Sequence, residues 1–229
     1  LIYGMQDNYV EGLKYVSESI ELRKKIDDKH INQTYNNIGN FYLWQVPNYN
    51  KALEYFNLGL EISYENDNKH GRSWCLCFIG MYYWNIGNHV KALKYFKDSI
   101  KLFEELGDKV HVAQQLTWGS LMNWELGNLD AAKHMIEKSS NIFNSVENKN
   151  HKWEFICTYT LIRRDLGMEC NLKEVNNQLG TMMADKLVPH YIDWFYLYIV
   201  TNNSEHLDLA YKRLHELSER VDSGLKKEL

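Results

Sequence analysis

The chain has 229 residues, of which 45% are hydrophobic and 24% are charged, and its formal net charge is −4. This is an ordinary folded composition, and an acidic balance without runs of Lys or Arg argues against direct binding of nucleic acid. No apolar stretch approaches the roughly 18 residues of a membrane span, and the 4 cysteines show neither a metal-ligand spacing nor a disulfide framework. We therefore expect a cytoplasmic protein without a metal, a cofactor or contact with a membrane.

The first predicted element is a helix within residues 8–30, and it opens a repeat of forty residues. The positions that recur at this spacing include Asn8, Asn48, Asn88 and Asn128, and also Gly12, Ala52, Ala92 and Ala132. Two such series in one register indicate an internal repeat. Since the leading helix matches only the second half of a unit, we expect the chain to be part of a longer protein. Its open apolar end also offers a surface through which two copies could associate.

Three regular units follow, at residues 31–69, 70–109 and 110–149, and each is predicted to form two helices. In the middle unit, Val90, Leu93 and Phe96 recur at the spacing of one helical face. The break before them reads "IGN", in which Gly87 is predicted to end the first helix and Asn88 to cap the second. Gly127 and Asn128 repeat this break in the next unit.

Small residues in these units predict close contact between the paired helices. The first helices carry Gly39, Gly80 and Gly119, and the second helices carry Ala52, Ala92 and Ala132. A glycine inside a helix costs about 1 kcal/mol relative to alanine, so its presence here favours a role in packing.

The last predicted elements are a degenerate unit at 150–186 and a terminal hairpin or cap at 187–229, with Ala210 as its close-contact alanine. One hairpin cannot bury its apolar stripe alone, so the hairpins are expected to stack into one solenoid over residues 1–229.

The middle unit resembles the tetratricopeptide repeat. Gly80 is followed by Tyr83 three residues later, by Ala92 twelve later and by Phe96 sixteen later. The long period, with "LGN" at the turn and "LGDK" at the unit's end, resembles the forty-residue variety in kinesin light chain and maltose-activator-type bacterial regulators. The resemblance implies an all-α, right-handed superhelical solenoid of antiparallel helix hairpins. Gly39 and Gly119 stand one residue early, which predicts altered packing in those units.

The resemblance also implies a binding site, because the first helices of tetratricopeptide arrays line a concave groove where partners usually bind. The residues predicted to line or border this groove are Trp44, Trp84, Trp124, Phe41, Met81, Leu121, Leu161, Trp74, Asn37 and Arg164. Their apolar character suits an apolar or amphipathic segment of a protein partner better than an acidic tail. The tryptophans at forty-residue spacing admit two interpretations: packing between repeats, or a ladder of aromatic anchors for the partner.

No motif of an enzyme is present: the sequence lacks a phosphate-binding glycine loop, a nucleophile elbow and a zinc-protease helix. The predicted function is therefore a non-catalytic scaffold or adaptor. The alternative is the sensor or regulatory part of a larger signal-transduction ATPase or transcription regulator.

Overall fold

The computed structural model describes residues 9–25, 31–44, 48–146, 152–168 and 204–212, together with positions 175, 198 and 215. The helices are α1 (Tyr9–Lys25), α2 (Ile31–Trp44), α3 (Tyr49–Glu65), α4 (Lys69–Asn85), α5 (His89–Glu105), α6 (Lys109–Glu125), α7 (Leu129–Ser145) and α8 (Lys152–Asp165). Residues 204–212 are helical as well, and the described residues contain no strand. The prediction of an all-α fold is confirmed.

The chain divides into two compact units, one formed by Leu1–Leu106 with Leu217–Leu229 and the other by Gly107–Glu216. In the first unit α2 packs with α3 and α4 packs with α5, while α1 packs on α2 and α3 packs on α4. In the second unit α6 packs with α7, and α8 packs on both. Consecutive helices thus form stacked hairpins in the first unit, as predicted, and the described helices of the second unit form a hairpin with α8 packed on it.

The chain beyond α8 is described only in part. Ala210 is buried beside Ile156 and Cys157 of α8 in the second unit, whereas most of the hairpin partner expected for it lies outside the described residues. Most of the predicted degenerate unit at 150–186 and of the predicted terminal hairpin at 187–229 lies outside the described residues.

The turn between α4 and α5 has the predicted glycine stop and asparagine cap. Gly87 adopts a φ of 75°, a conformation that other residues rarely take. The Asn88 N–H donates to the Tyr83 carbonyl at 2.8 Å, which closes α4. The Asn88 side chain then accepts the N–H of Lys91 at 3.2 Å and caps α5.

The next asparagine behaves differently. Gly127 has the same φ of 75°, and Asn128 stands at the N-cap position of α7. Its side chain, however, accepts no hydrogen bond from the first turn of that helix. Asn128 therefore occupies the predicted N-cap position but does not make the capping hydrogen bond.

The small residues bring paired helices close together, as predicted, and the neighbour of the glycine is an aromatic ring. Ala52, Ala92 and Ala132 are fully buried. A Cβ atom on Gly80 would lie 2.7 Å from Cε1 of Phe96, and a Cβ on Gly39 would overlap the ring of Phe56. The ring of the second helix therefore occupies the space that a side chain on the first helix would need.

One helix is out of register with the forty-residue period. The Asn88 N–H reaches back five residues to Tyr83, but the Asn48 N–H reaches back six residues to Tyr42, at 2.8 Å in both cases. Tyr42 and Tyr83 are therefore equivalent although they are forty-one residues apart. Gly39 and Gly80 have the same separation. The first helix α2 is thus displaced by one residue, which corresponds to about 100° of rotation.

The third unit departs from the pattern for a different reason. The Asn128 N–H bonds to the Asn123 carbonyl five residues back, at 2.8 Å, so α6 keeps the forty-residue register. Ser120 stands at the glycine position, and its hydroxyl donates to the Ala132 carbonyl at 2.6 Å. A serine replaces the contact glycine in α6, whereas the whole helix is displaced in α2.

Candidate partner-binding surface

The first unit presents an apolar surface on its first helices, α2 and α4, which pack on each other. Phe41, Met81, Trp44 and Trp84 are all partly exposed, and Asn37 is exposed. The Phe41 ring meets the Tyr42 ring edge-on, with centroids 5.9 Å apart. Trp44 and Met81 rest on the same buried core. Trp44 and Met81 are therefore supported by the core while part of each side chain reaches the solvent.

The register of α2 separates Trp44 from Trp84. When α2 is aligned on Tyr42 and Tyr83, the position of Trp84 is occupied by Leu43, which is buried. Trp44 itself then aligns with Asn85, whose amide donates to the Met81 carbonyl at 2.8 Å. The forty-residue spacing of the tryptophans is thus not a continuous column on equivalent helix faces.

Tyrosines form the regular aromatic column of the first unit, and the sequence pattern singled out only one of them, Tyr83, as part of the repeat motif. The Tyr42 ring stacks on the Tyr55 ring with centroids 5.7 Å apart, and the Tyr83 ring stacks on the Tyr95 ring at 5.3 Å. Tyr55 and Tyr95 do recur at forty residues together with an earlier tyrosine, Tyr15. This recurrence of tyrosine at forty residues is the sequence signal from which the aromatic column could be predicted.

Several buried polar groups of the first unit are uncharged at neutral pH. Burial raises the pKa of the Tyr55, Tyr82 and Tyr95 hydroxyls. Burial also raises the pKa of the Cys75 thiol to about 12. The thiol lies 3.2 Å from the Asn36 amide oxygen, to which it donates. All of these groups stay protonated, so they add no charge to the first unit at neutral pH.

Trp74 packs within an aromatic cluster of the first unit. Its ring stacks on Phe78 and meets Phe103 edge-on, with centroids 5.6 Å away in both contacts. Phe78 stacks in turn on Phe56 of α3, again at 5.6 Å. This cluster ties α3, α4 and α5 together and leaves Trp74 partly exposed.

In the second unit the predicted residues fall into two groups. Leu121 and Leu161 are buried, with exposed fractions of 4% and 0%. Trp124 is partly exposed, and its indole N–H donates to the Asp165 carboxylate at 2.7 Å. Arg164 is exposed and donates to the same carboxylate from Nε at 3.0 Å. Trp124 thus joins α6 to α8, a contact of the inter-repeat packing kind.

Two further properties bear on the class of site. The described residues contain no group of three or more His, Cys, Asp or Glu side chains that could hold a metal ion. Among the helices of the described ranges, none is long and apolar enough to cross a membrane.

Stacked hairpins in which a glycine of the first helix receives an aromatic ring of the second define a helical repeat protein. Residues 30–105, which contain α2 to α5, match the tetratricopeptide repeat family. The match confirms, over this third of the chain, the resemblance drawn from Gly80, Tyr83, Ala92 and Phe96. Tetratricopeptide repeats in general mediate contacts between proteins and are typically not catalytic.

Solved structures share the fold, although the sequence has no significant match among curated proteins. BtubC (BKLC) from P. vanneervenii is 15% identical with a TM-score of 0.57, over 78% of this chain and 82% of that one. A STAND signal transduction ATPase with a tetratricopeptide repeat sensor, from Pyrococcus horikoshii, is 19% identical with a TM-score of 0.56, over 93% of this chain and 35% of that one. The apo form of RapI is 15% identical with a TM-score of 0.66, over 93% of this chain and 58% of that one. At these identities the likeness concerns the fold alone.

Proposed function

We propose that the chain is a non-catalytic scaffold that holds an apolar or amphipathic segment of a protein partner against its first helices. One observation carries this proposal: Phe41 and Met81 are large apolar side chains that stay partly exposed on adjacent first helices. Trp44 and Trp84 extend the exposed apolar area on the same two helices. Exposed large apolar side chains are common at interaction sites, and aromatic side chains are enriched among the residues that dominate binding energy.

Two cations in the first turn of α4 are paired within the first unit and offer little to an acidic tail. Lys69 at the start of α4 pairs with Glu105 at 3.0 Å. Arg72, one turn later, pairs with Asp67 at 2.9 Å. These cations are already engaged by carboxylates of the same unit, while the exposed Asn37 amide offers neutral hydrogen bonding. An apolar segment with a few polar backbone or side-chain groups fits this chemistry.

In the second unit the proposal assigns partner contact to Trp124 and Arg164, which reach the solvent. Leu121 and Leu161 then support the surface from below rather than meeting the partner. The Asp165 carboxylate holds the Trp124 indole and the Arg164 guanidinium, so both side chains are oriented before a partner arrives.

The test compares two double variants of the immobilised chain. Phe41→Asp/Met81→Asp places charges on the proposed surface, while Val90→Asp/Tyr64→Asp places equal charges on exposed positions of the second helices. Proteins retained from a lysate are quantified, and the dissociation constant of each purified partner is then measured by calorimetry. We expect affinity to fall by roughly 30-fold or more in the first variant, the loss associated with hot-spot residues. Equal affinity of the two variants, with helical circular dichroism intact in both, would overturn the proposal.

The two interpretations of the tryptophans need a separate measurement. Trp44→Ala/Trp84→Ala is compared with Trp124→Ala in binding and in circular dichroism. Lost binding with an intact helical signal would make Trp44 and Trp84 partner anchors, and a collapsed signal would make them packing residues. Because Trp124 is bonded to Asp165, we expect its replacement to lower stability in either case.

The alternative function is a sensor region within a larger regulator. It is favoured by the likeness, over 93% of this chain, to a protein whose sensor is described as a tetratricopeptide repeat. A nucleotide-binding or DNA-binding domain encoded beside this segment would support the sensor, and an isolated repeat array would support the scaffold.

A further inference from the structure

The second helices α3 and α5 expose equivalent faces that carry opposite charges. Glu54 and Glu61 are exposed on α3, and the residues forty positions later are Lys94 and Lys101, which are exposed on α5. Because seven residues make about two helical turns, the members of each pair lie on one side of their helix. The repeat therefore keeps the exposed face, while its charge is reversed from one hairpin to the next.

Most of these charges are not engaged within the first unit. Neither glutamate makes a hydrogen bond or an ion pair with the described residues, and the same holds for Lys94 and for Lys97, one turn further along α5. Lys101 differs, because its ammonium group donates to the Asp98 carboxylate at 3.3 Å. Two carboxylates on α3 and two ammonium groups on α5 thus remain open to charges from outside the chain.

The two charged faces are directed to the same side of the first unit. Ala52 and Phe56 of α3, and the equivalent Ala92 and Phe96 of α5, are all fully buried. Both second helices therefore bury the same face, and both pack against α4. Since the hairpins are stacked copies of one repeat, an acidic face and a basic face lie side by side on neighbouring helices that run in the same direction.

We propose that the lysine face of α5 binds the glutamate face of α3 from a second copy of the chain. A two-fold axis parallel to the helices places α3 of each copy over α5 of the other, with equivalent positions at the same height. Lys94 then lies opposite Glu54 of the second copy, and Lys97 lies between Glu54 and Glu61. Each contact is made twice, as in any interface with two-fold symmetry.

Charge complementarity selects a second copy as the occupant, because one chain carries both signs at equivalent positions. Pairs between exposed charges contribute little energy each and are screened by salt. We therefore expect a weak dimer that dissociates as the ionic strength rises. This surface lies on the second helices, whereas the surface of the proposed function lies on the first helices, so the two proposals stand or fall separately.

The test exchanges the charges and follows self-association by sedimentation velocity at low ionic strength. Lys94→Glu/Lys97→Glu, the acidic variant, gives both faces a negative charge, and Glu54→Lys/Glu61→Lys, the basic variant, gives both a positive charge. Each variant alone should dimerise at least about tenfold more weakly than the unchanged chain, because like charges then face each other. An equimolar mixture of the two should recover a dimer, since every face again meets the opposite charge.

Glu137→Lys/Asp208→Lys is the matched control, because it changes the net charge by the same amount as the basic variant, at exposed positions of the second unit. Alone, it should dimerise as the unchanged chain does. Mixed with the acidic variant, it should associate less than the basic variant does, since its own α3 stays acidic. Circular dichroism checks that the helices of each variant are retained.

Three results would overturn the proposal. The first is an unchanged chain that stays monomeric at every concentration at low ionic strength, which would leave the lysine face to an acidic segment of another protein. The second is a dimer that persists equally in the acidic and basic variants. The third is a mixture of these variants that associates no more than either variant alone.

Discussion

The hairpins α2–α3 and α4–α5 share one packing scheme but differ by one residue in the register of their first helices. In both, a glycine receives a phenylalanine ring and a tyrosine stacks on a tyrosine of the second helix. The hydrogen bond that closes the turn after α2 joins Asn48 to Tyr42, six residues back, whereas the one after α4 joins Asn88 to Tyr83, five residues back. Packing contacts, and not sequence spacing, therefore determine which residue of a first helix faces the second helix of its hairpin.

The largest expected effect tests this register directly. Gly39→Ala should destabilise the chain by about 1–3 kcal/mol because the new Cβ overlaps the Phe56 ring, and this cost exceeds the gain in helix propensity. The forty-residue spacing would instead assign the contact to Asn40. The amide oxygen of Asn40 is buried and has no hydrogen-bond partner among the described residues. Asn40→Ala should therefore be neutral or stabilising.

Urea denaturation followed by circular dichroism distinguishes the two registers. If Asn40→Ala proves costly and Gly39→Ala harmless, α2 has the same register as α4 and the comparison of the two hairpins fails. Gly80→Ala serves as the reference, since its Cβ would also meet a ring, that of Phe96.

The second prediction concerns the contact between α2 and α4. Burial raises the pKa of Cys75 from 9.0 to about 12, so the folded state retains a proton that the unfolded state loses. The stabilisation is complete below pH 9 and is lost as the pH rises toward 12, by about 1.4 kcal/mol for each pH unit in that window. Denaturation at pH 8, 9 and 10 should show little change in stability below pH 9 and a loss that approaches this slope above pH 9.

Cys75→Ser is the matched variant for the pH experiment. It keeps a donor for the Asn36 amide oxygen but does not ionise in this range. Its stability should vary less between pH 9 and 10 than that of the unchanged chain. Identical slopes in the two proteins would show that the thiol between the hairpins does not titrate as its burial implies.

The third prediction compares the caps of the second helices. Asn48 and Asn88 accept N–H groups of the first turns of α3 and α5, at 3.1 and 3.2 Å. Replacement of either by alanine should cost about 1 kcal/mol. Asn128→Ala should cost only a few tenths of a kcal/mol, because its side chain makes no capping bond. Equal losses at all three positions in thermal denaturation would contradict the difference between the turns.

The smallest expected effect tests the equivalence of Tyr42 and Tyr83. Lys51 lies over the Tyr42 ring at 5.2 Å and Lys91 over the Tyr83 ring at 4.9 Å. Lys51→Met and Lys91→Met should each cost about 0.5 kcal/mol, the usual size of a cation–π contact near the surface. A clear difference between the two losses would indicate that the aromatic columns of the two hairpins are not equivalent.

Much of the fold was predictable because its signals are local. Gly87 and Asn88 specify a helix stop and a helix start within three residues, and the alternation of apolar residues specifies the face of each helix. The candidate site was less predictable. The tetratricopeptide resemblance predicts Trp74 and Trp124 at the groove, and it does not reveal that Trp74 packs on Phe103 or that Trp124 bonds to Asp165. Such contacts depend on residues that are distant in the chain.

By itself, the sequence determined the all-α class, the pairing of helices and the positions of the turns between them, since backbone hydrogen bonds and glycine conformations act over a few residues. The tertiary structure alone decided the register of α2, the burial of Leu121 and Leu161, and the separation of Trp44 from Trp84. The physical reason is that one extra residue in a turn rotates a helix by about 100°, and only packing against the neighbouring helices selects the face that it buries.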